Sequence, residues 1–320
     1  MRAPRALFLL SRRSHSYITT PIFYANAGKF FWLIAPHIGH LYTAVLSDAA
    51  NRWQKLKDPD GVHTFVSGTD EHGIKRAKKD PLKFCDESSK SFRNLFDKFA
   101  IETTDFIRTT EDRHKRCVEY IWKRLYDRDF IYKDIYSNWY SAVDECFFSE
   151  NEVEDSPAGK VVKGTSHLVE WVEEHNYMFR LSYLKGEVRR WLLESDIIIS
   201  DVIQPKHYLP YALHYLEYEG DLSISRDRSR LPWGIPAPGD DSQTIYVWMD
   251  ALMNYLSVVG YPDTLKAWPP SWQVLGKDIL KLGIAPEKRQ FEKAAFGKED
   301  GGHRLSENSG PLLSRIERKK

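Results

Sequence analysis

The chain has 320 residues, 42% hydrophobic and 13% aromatic, enough to bury a sizeable core and to exclude a disordered or low-complexity protein. Lys and Arg total 46 against 45 Asp and Glu, so a net charge of +1 does not announce a nucleic-acid binder, and any such contact must come from a local patch. No apolar run approaches the ~18 residues of a membrane span, and three cysteines without a C-x-x-C pair exclude a disulfide scaffold and a cysteine-type zinc site.

In the opening stretch Arg2, Arg5, Arg12 and Arg13 stand with Ser11, Ser14 and Ser16, and the first acidic residue is Asp48. That composition predicts a mitochondrial transit peptide over residues 1–16; a secretory signal, the rival reading, has only the short apolar core ALFLL. YITTPIFYAN (17–26) is apolar, β-branched and aromatic and reads as a buried strand. PHIGHLYT (36–43) then sets His37 and His40 around Gly39 at the start of a helical pattern carried by Leu41, Ala44, Val45, Leu46, Ala49 and Trp53. Both imidazoles should project from one face of the first turn. Gly39 lets a phosphate approach the backbone, and a helix N-terminus offers unpaired N–H groups and about half a positive charge, so the segment suits a triphosphate.

FVSGTDEHG (65–73) repeats the pattern of a buried strand ending in a polar turn, and the ends of parallel strands are where α/β sheets bind ligands. An amphipathic helix is expected over 113–130, with Val118, Ile121, Trp122 and Leu125 on one face. Residues 134–176 alternate aromatic and polar positions between Gly, Ser and Pro breaks, a pattern of short strands and loops. From residue 177 the chain should supply the rest of the sheet, with strands near Tyr246 and Leu275. TIYVWMDALMNY (244–255) carries Asp250 in an aromatic stretch, and VLGKD (274–278) closes a short strand with a glycine and two charges. Cys85, Cys117 and Cys146 read as small buried hydrophobes in a reducing compartment.

These motifs, in this order, resemble those of the methionyl-tRNA synthetases, class I enzymes, and most closely the zinc-free mitochondrial and bacterial branch, from about residue 17 to 281. H-x-G-H is shared with other class I synthetases and with nucleotidylyltransferases, so GTDEHG and YVWMDA carry the specificity. The resemblance implies an α/β fold: a Rossmann-like catalytic domain whose halves, 17–133 and 177–281, flank a small connective insertion, 134–176. It implies ATP with Mg2+ as substrate, no zinc, activation of methionine to methionyl-adenylate, and transfer to tRNA(Met) in the mitochondrial matrix, away from any membrane. By the same resemblance His37 and His40 are catalytic, and Pro36, Gly39, Gly276 and Lys277 join them in binding ATP. Asp70 takes the methionine ammonium group, Ile22 and Tyr24 line the pocket, Trp248, Ala251 and Tyr255 enclose the thioether, and Asp278 lies on the methionine side. On residue chemistry alone, Trp248 and Tyr255 serve equally as core aromatics, Asp70 as a helix cap and Lys277 as a surface charge.

The chain departs from the family pattern in three places. GKFFWLI (28–34) puts an apolar insert into the ATP loop, RAKKDPLKF (76–84) is shortened, and residues 282–320 form a divergent, polar, Gly-rich tail with no KMSKS loop. The expectation is therefore a methionine–tRNA ligase chain lacking its C-terminal part, impaired by loss of the KMSKS loop and the anticodon domain. The alternative is a catalytically inactive ATP- and methionine-binding module of the same family. Glu71, His72 and Gly73 complete the matched motif without a role of their own.

Overall fold

The computed structural model describes residues 6–10, 16–19, 23–24, 36–73, 80–143, 146–194, 203, 205–217, 220–264 and 272–276. Its first part comprises β1 (Ala6–Leu10), β2 (Ser16–Thr19), β3 (Phe23–Tyr24), α1 (Ile38–Lys57), β4 (His63–Asp70), α2 (Pro81–Lys98), β5 (Asp105–Arg108) and α3 (Asp112–Asp127). The run read as one strand over 17–26 is thus two short ones, β2 and β3. α2 starts where Asp80 accepts from the Leu82 N–H at 2.9 Å and Pro81 fills the first helical position, which needs no N–H partner. α3 buries Cys117, Val118, Ile121, Trp122 and Leu125, the face given by their three- and four-residue spacing.

The middle of the chain forms β6 (Ile131–Ser141), β7 (Cys146–Phe148), β8 (Val153–Ser156), β9 (Gly159–Val162) and β10 (Glu170–Phe179), then α4 (Lys185–Glu194), α5 (Leu209–Tyr215) and β11 (Leu222–Ser223). Strands in the order β11-β10-β6-β7 make an antiparallel sheet, and β8 and β9 a separate ribbon. β6 and β10 pair from Ile131 opposite Phe179 to Tyr140 opposite Glu170, so this ladder runs through residues 134 and 176, where the insertion boundaries were placed.

Last come β12 (Ser225–Asp227), β13 (Pro236–Ala237), β14 (Asp240–Ile245), α6 (Val247–Leu252), α7 (Asn254–Ser257) and β15 (Trp272–Gly276). The strand expected near Tyr246 is β14, but it pairs with β12 and β13 in a sheet of its own, because those two strands take both its edges. Among the described residues, β15 alone of this part enters the main sheet, between β1 and β2.

β4 is the centre of that sheet. β2 and then β3 run parallel along one flank and β5 along the other, and Thr69 pairs with both Phe23 and Arg108. From Phe65 to Asp70 every residue of β4 is buried, as expected of a parallel strand covered on both faces. Successive side chains divide between two cores. Phe65 and Phe106 join Ala44, Phe92 and Phe96 beneath α1 and α2, whereas Val66 and Ile107 join Ile121, Trp122, Phe179, Met249 and Leu256 on the other face. Gly68 permits the close approach of β5, since a Cβ there would lie 2.1 Å from the Ile107 carbonyl oxygen. Among the described residues no helix is long and apolar enough to cross a membrane.

Candidate active site

α1 begins with a cap made of two histidines. His37 holds the N-cap position in extended conformation, its Nδ1 accepting from the Gly39 N–H at 3.0 Å, while its own N–H donates to Nδ1 of His40 at 3.2 Å. The pair does what Ser and Glu do in an ordinary capping box. Their rings stack with centroids 3.7 Å apart, and Phe92 of α2 meets His40 edge-on at 5.2 Å. A backbone N–H can only donate, so each Nδ1 is an acceptor and each neutral ring carries its proton on Nε2. Burial, and then the neighbouring His37, push the His40 imidazole down to about 4, so it is neutral at physiological pH. The site therefore presents two Nε2–H donors at a helix N-terminus, a combination suited to phosphate oxygens. A Cβ at Gly39 would come within 2.9 Å of Cε1 of His37, which explains the glycine between the histidines. Pro36 precedes them, half-buried.

The second part of the site is the end of β4. Asp70, Glu71 and His72 are 1%, 0% and 4% exposed. Glu71 is fully engaged: Arg108 Nε donates at 2.7 Å, Thr69 Oγ1 at 2.8 Å and Thr110 Oγ1 at 2.5 Å, and its carbonyl accepts from Trp233 Nε1 at 2.8 Å. Asp70 is not. Its Oδ1 accepts from the His72 N–H at 3.3 Å, and its Oδ2, also buried, has no partner among the described residues. Burial, followed by the charge of Asp250, pushes this carboxyl up to about 8.

Asp250 lies between two imidazoles. Nδ1–H of His72 donates to its Oδ2 at 2.5 Å, Nε2–H of His114 donates to its Oδ1 at 2.6 Å, and Nδ1 of His114 bonds to Ser257 Oγ at 2.8 Å. Burial opposes ionisation of Asp250, but the charge of His72 and the two imidazole hydrogen bonds outweigh it and hold the carboxyl far below its usual range. His72 moves up, because the Asp250 charge and hydrogen bond overcome the opposing effect of burial. Sequence reading assigned none of these three residues. His72 and Asp250 lie within the FVSGTDEHG and TIYVWMDALMNY segments, and His114 lies on α3, 136 residues from Asp250.

Asp250 also brings α6, with Trp248 and Ala251, to the end of β4. Trp248 is half-buried, Ala251 is 7% exposed, and Tyr255 on α7 is 3% exposed within the larger core. Tyr24 of β3 pairs with Asp70 through the backbone ladder, and Gly276 is the last residue of β15. Ile22, Lys277 and Asp278 lie outside the described residues, as do the 28–34 insert and the 282–320 tail. Residues 6–10, within the expected leader, form β1 antiparallel to β15. Cys85 and Cys117 are buried; burial pushes the Cys85 thiol up to about 12 and raises that of Cys117 further. Among the described residues no group of three or more His, Cys, Asp or Glu is placed to hold a metal ion.

A sheet covered on both faces, with an imidazole-capped helix packed against it and an acidic turn at the end of its central strand, has the architecture of a class I tRNA synthetase catalytic domain. The sequence profile for tRNA synthetases class I (M) matches residues 16–282. The mitochondrial methionine–tRNA ligase of Bos taurus is 47% identical over 287 residues, covering 85% of this chain and 46% of that protein, and that of Homo sapiens 46% identical over 282 residues, covering 83% and 46%. Among solved structures, Mycobacterium tuberculosis methionyl-tRNA synthetase in complex with methionyl-adenylate is similar, with a TM-score of 0.75 and 31% identity over 88% of this chain and 55% of that one. The chain belongs to the tRNA synthetases class I (M) family. It spans about half the length of the curated relatives it matches.

Proposed function

We propose that this chain is the catalytic portion of a methionine–tRNA ligase serving translation in the mitochondrial matrix. In the first step the methionine carboxylate attacks the α-phosphate of ATP, and pyrophosphate leaves; in the second a terminal ribose hydroxyl of tRNA(Met) takes the acyl group from the adenylate, and AMP leaves. The enzyme forms no covalent intermediate in either step, so its task is positioning and stabilising spread negative charge. His37 and His40 donate from Nε2 to phosphate oxygens, with Pro36 and Gly39 shaping the turn. Gly276 and Lys277 are assigned to ATP binding by the family resemblance, and Mg2+ enters with ATP. Asp70 receives the ammonium group, Ile22, Tyr24 and Asp278 border the amino acid, and Trp248, Ala251 and Tyr255 surround the thioether, a polarisable group that packs well on aromatic rings. No zinc is assigned a part. The domain plan is a sheet-forming catalytic core, 17–133 and 177–281, around the 134–176 insertion.

The observation that carries this reading is the paired imidazole cap with its two Nε2–H donors, in a chain whose relatives are named mitochondrial methionine–tRNA ligases. The test is methionine-dependent exchange of pyrophosphate into ATP by the purified 320-residue chain. Exchange above the level of a His37→Ala control is expected; exchange no greater than that control overturns the reading.

A further inference from the structure

Asp70 and Asp250 are two carboxyl groups within one buried cluster, and they are treated in opposite ways. Asp250 receives hydrogen bonds from His72 and His114 on its two oxygens. Asp70 has one long bond from the His72 N–H and a buried Oδ2 with no partner among the described residues. The surroundings of Asp70 decide its charge. Its own turn contributes Glu71, already matched by Arg108 of β5, and His72, already matched by Asp250. α2 contributes the Cys85 thiol, α3 contributes His114 and Lys115, and α6 contributes Asp250 itself. Among the described residues none of these cations donates to Asp70 Oδ2.

We propose that Asp250 is a positioning residue that keeps Asp70 protonated in the empty pocket, so that an amino acid's ammonium group enters by displacing the Asp70 proton to solvent. This rests on the assignment of Asp70 to the ammonium group. The exchange balances: one positive charge enters, one proton leaves, and the resulting carboxylate pairs with the ammonium while the buried cluster keeps its net charge. A buried carboxylate without a partner is costly, whereas a protonated carboxyl or a hydrogen-bonded ion pair is not. The pocket therefore holds one of the latter two states at each stage. The imidazoles of His72 and His114 make the arrangement possible, because without them Asp250 and Asp70 would compete for one proton.

The consequence is a proton count. With Asp70 at about 8 in the empty pocket, methionine binding releases about 0.9 proton per ligand at pH 7 and about half a proton at pH 8. Isothermal titration of the full chain with L-methionine, in buffers of different ionisation enthalpy, reads this number directly. 4-(Methylthio)butanoate, which has no ammonium group, should bind without releasing a proton. Asp250→Asn should move the half-release point to lower pH and reduce the count at pH 7, a change that loosened packing alone would not produce. Wild-type binding with no proton exchange, together with weakened binding by Asp70→Asn, overturns the linkage and leaves the ammonium assignment standing. Undiminished methionine binding by Asp70→Asn, or none by the wild type, overturns that assignment as well.

Discussion

The backbone N–H of His37 donates to Nδ1 of His40 at 3.2 Å, the Nδ1 of His37 accepts from the Gly39 N–H at 3.0 Å, and the two rings stack at 3.7 Å, so the cap fixes the position and the tautomer of both imidazoles. Capping and donation are separable. Asparagine at position 37 keeps a side-chain acceptor for the Gly39 N–H but loses the Nε2–H donor, whereas alanine loses both. His37→Asn should retain stability to within about 0.5 kcal/mol and His37→Ala should lose about 1 kcal/mol. Both should lower pyrophosphate exchange about 10²- to 10³-fold, the usual effect of removing one aimed donor. Chemical denaturation alongside exchange kinetics checks the split; equal stability losses would show that His37 is not a cap.

His40 makes stability depend on acid. Its folded-state value, about 4, lies below the unfolded one, about 6.5. The unfolded chain therefore takes up the proton first as pH falls. The stabilisation is complete above pH ~6.5 and is lost as pH drops through the window to ~4. His40→Asn, which cannot titrate, should lose less unfolding free energy than wild type between pH 7 and pH 5. Urea titrations at those two pH values measure the difference, and parallel losses would place the acid sensitivity elsewhere.

The imidazole cap was legible in the sequence because its residues are three apart and a helix start is a local event. β4 and its end at Asp70 were legible for the same reason, since the strand and the polar turn that closes it fall in one continuous segment, 65–73. The His72–Asp250–His114 bridge was not, because it joins a turn, α3 and α6, and no periodicity links residues 178 and 136 positions apart. β14 illustrates the same limit: a strand was expected beside Tyr246, but which sheet it joined depended on partners at β12 and β13. Glu71 stood in a quoted motif, yet its importance lies in Arg108, which arrives from the next strand of the sheet.

Asp70 should cost stability when the pocket is empty. Its folded value of about 8 exceeds the unfolded value of about 3.9, so between those limits the native state holds a proton the unfolded chain lacks. Unfolding free energy from this group then falls as pH rises, by at most about 1.4 kcal/mol per pH unit. Asp70→Asn removes the penalty. It should melt at a higher temperature than wild type at pH 8, match it more closely at pH 5, and bind methionine more weakly at both. A variant less stable than wild type at pH 8 would mean that Asp70 is already paired in the ligand-free protein.

Glu71 and Arg108 should respond unequally to substitution although they form one ion pair at 2.7 Å. The Glu71 side chain is 0% exposed, and its oxygens also accept from Thr69 and Thr110; the Arg108 side chain is 20% exposed and keeps a second carboxylate partner, Asp86, at 2.7 Å. Removing one partner of a buried pair costs about 3–5 kcal/mol, most of it from the charge left behind. Arg108→Met strands a fully buried carboxylate and should lie near 5 kcal/mol, whereas Glu71→Gln leaves an arginine that still reaches Asp86 and should lie near 3 kcal/mol. Replacing both at once should cost less than the sum, since no charge is then stranded. Urea denaturation of the two single variants and the double variant measures this coupling, and additive costs would show that the pair does not act as a unit at the base of the Asp70 turn.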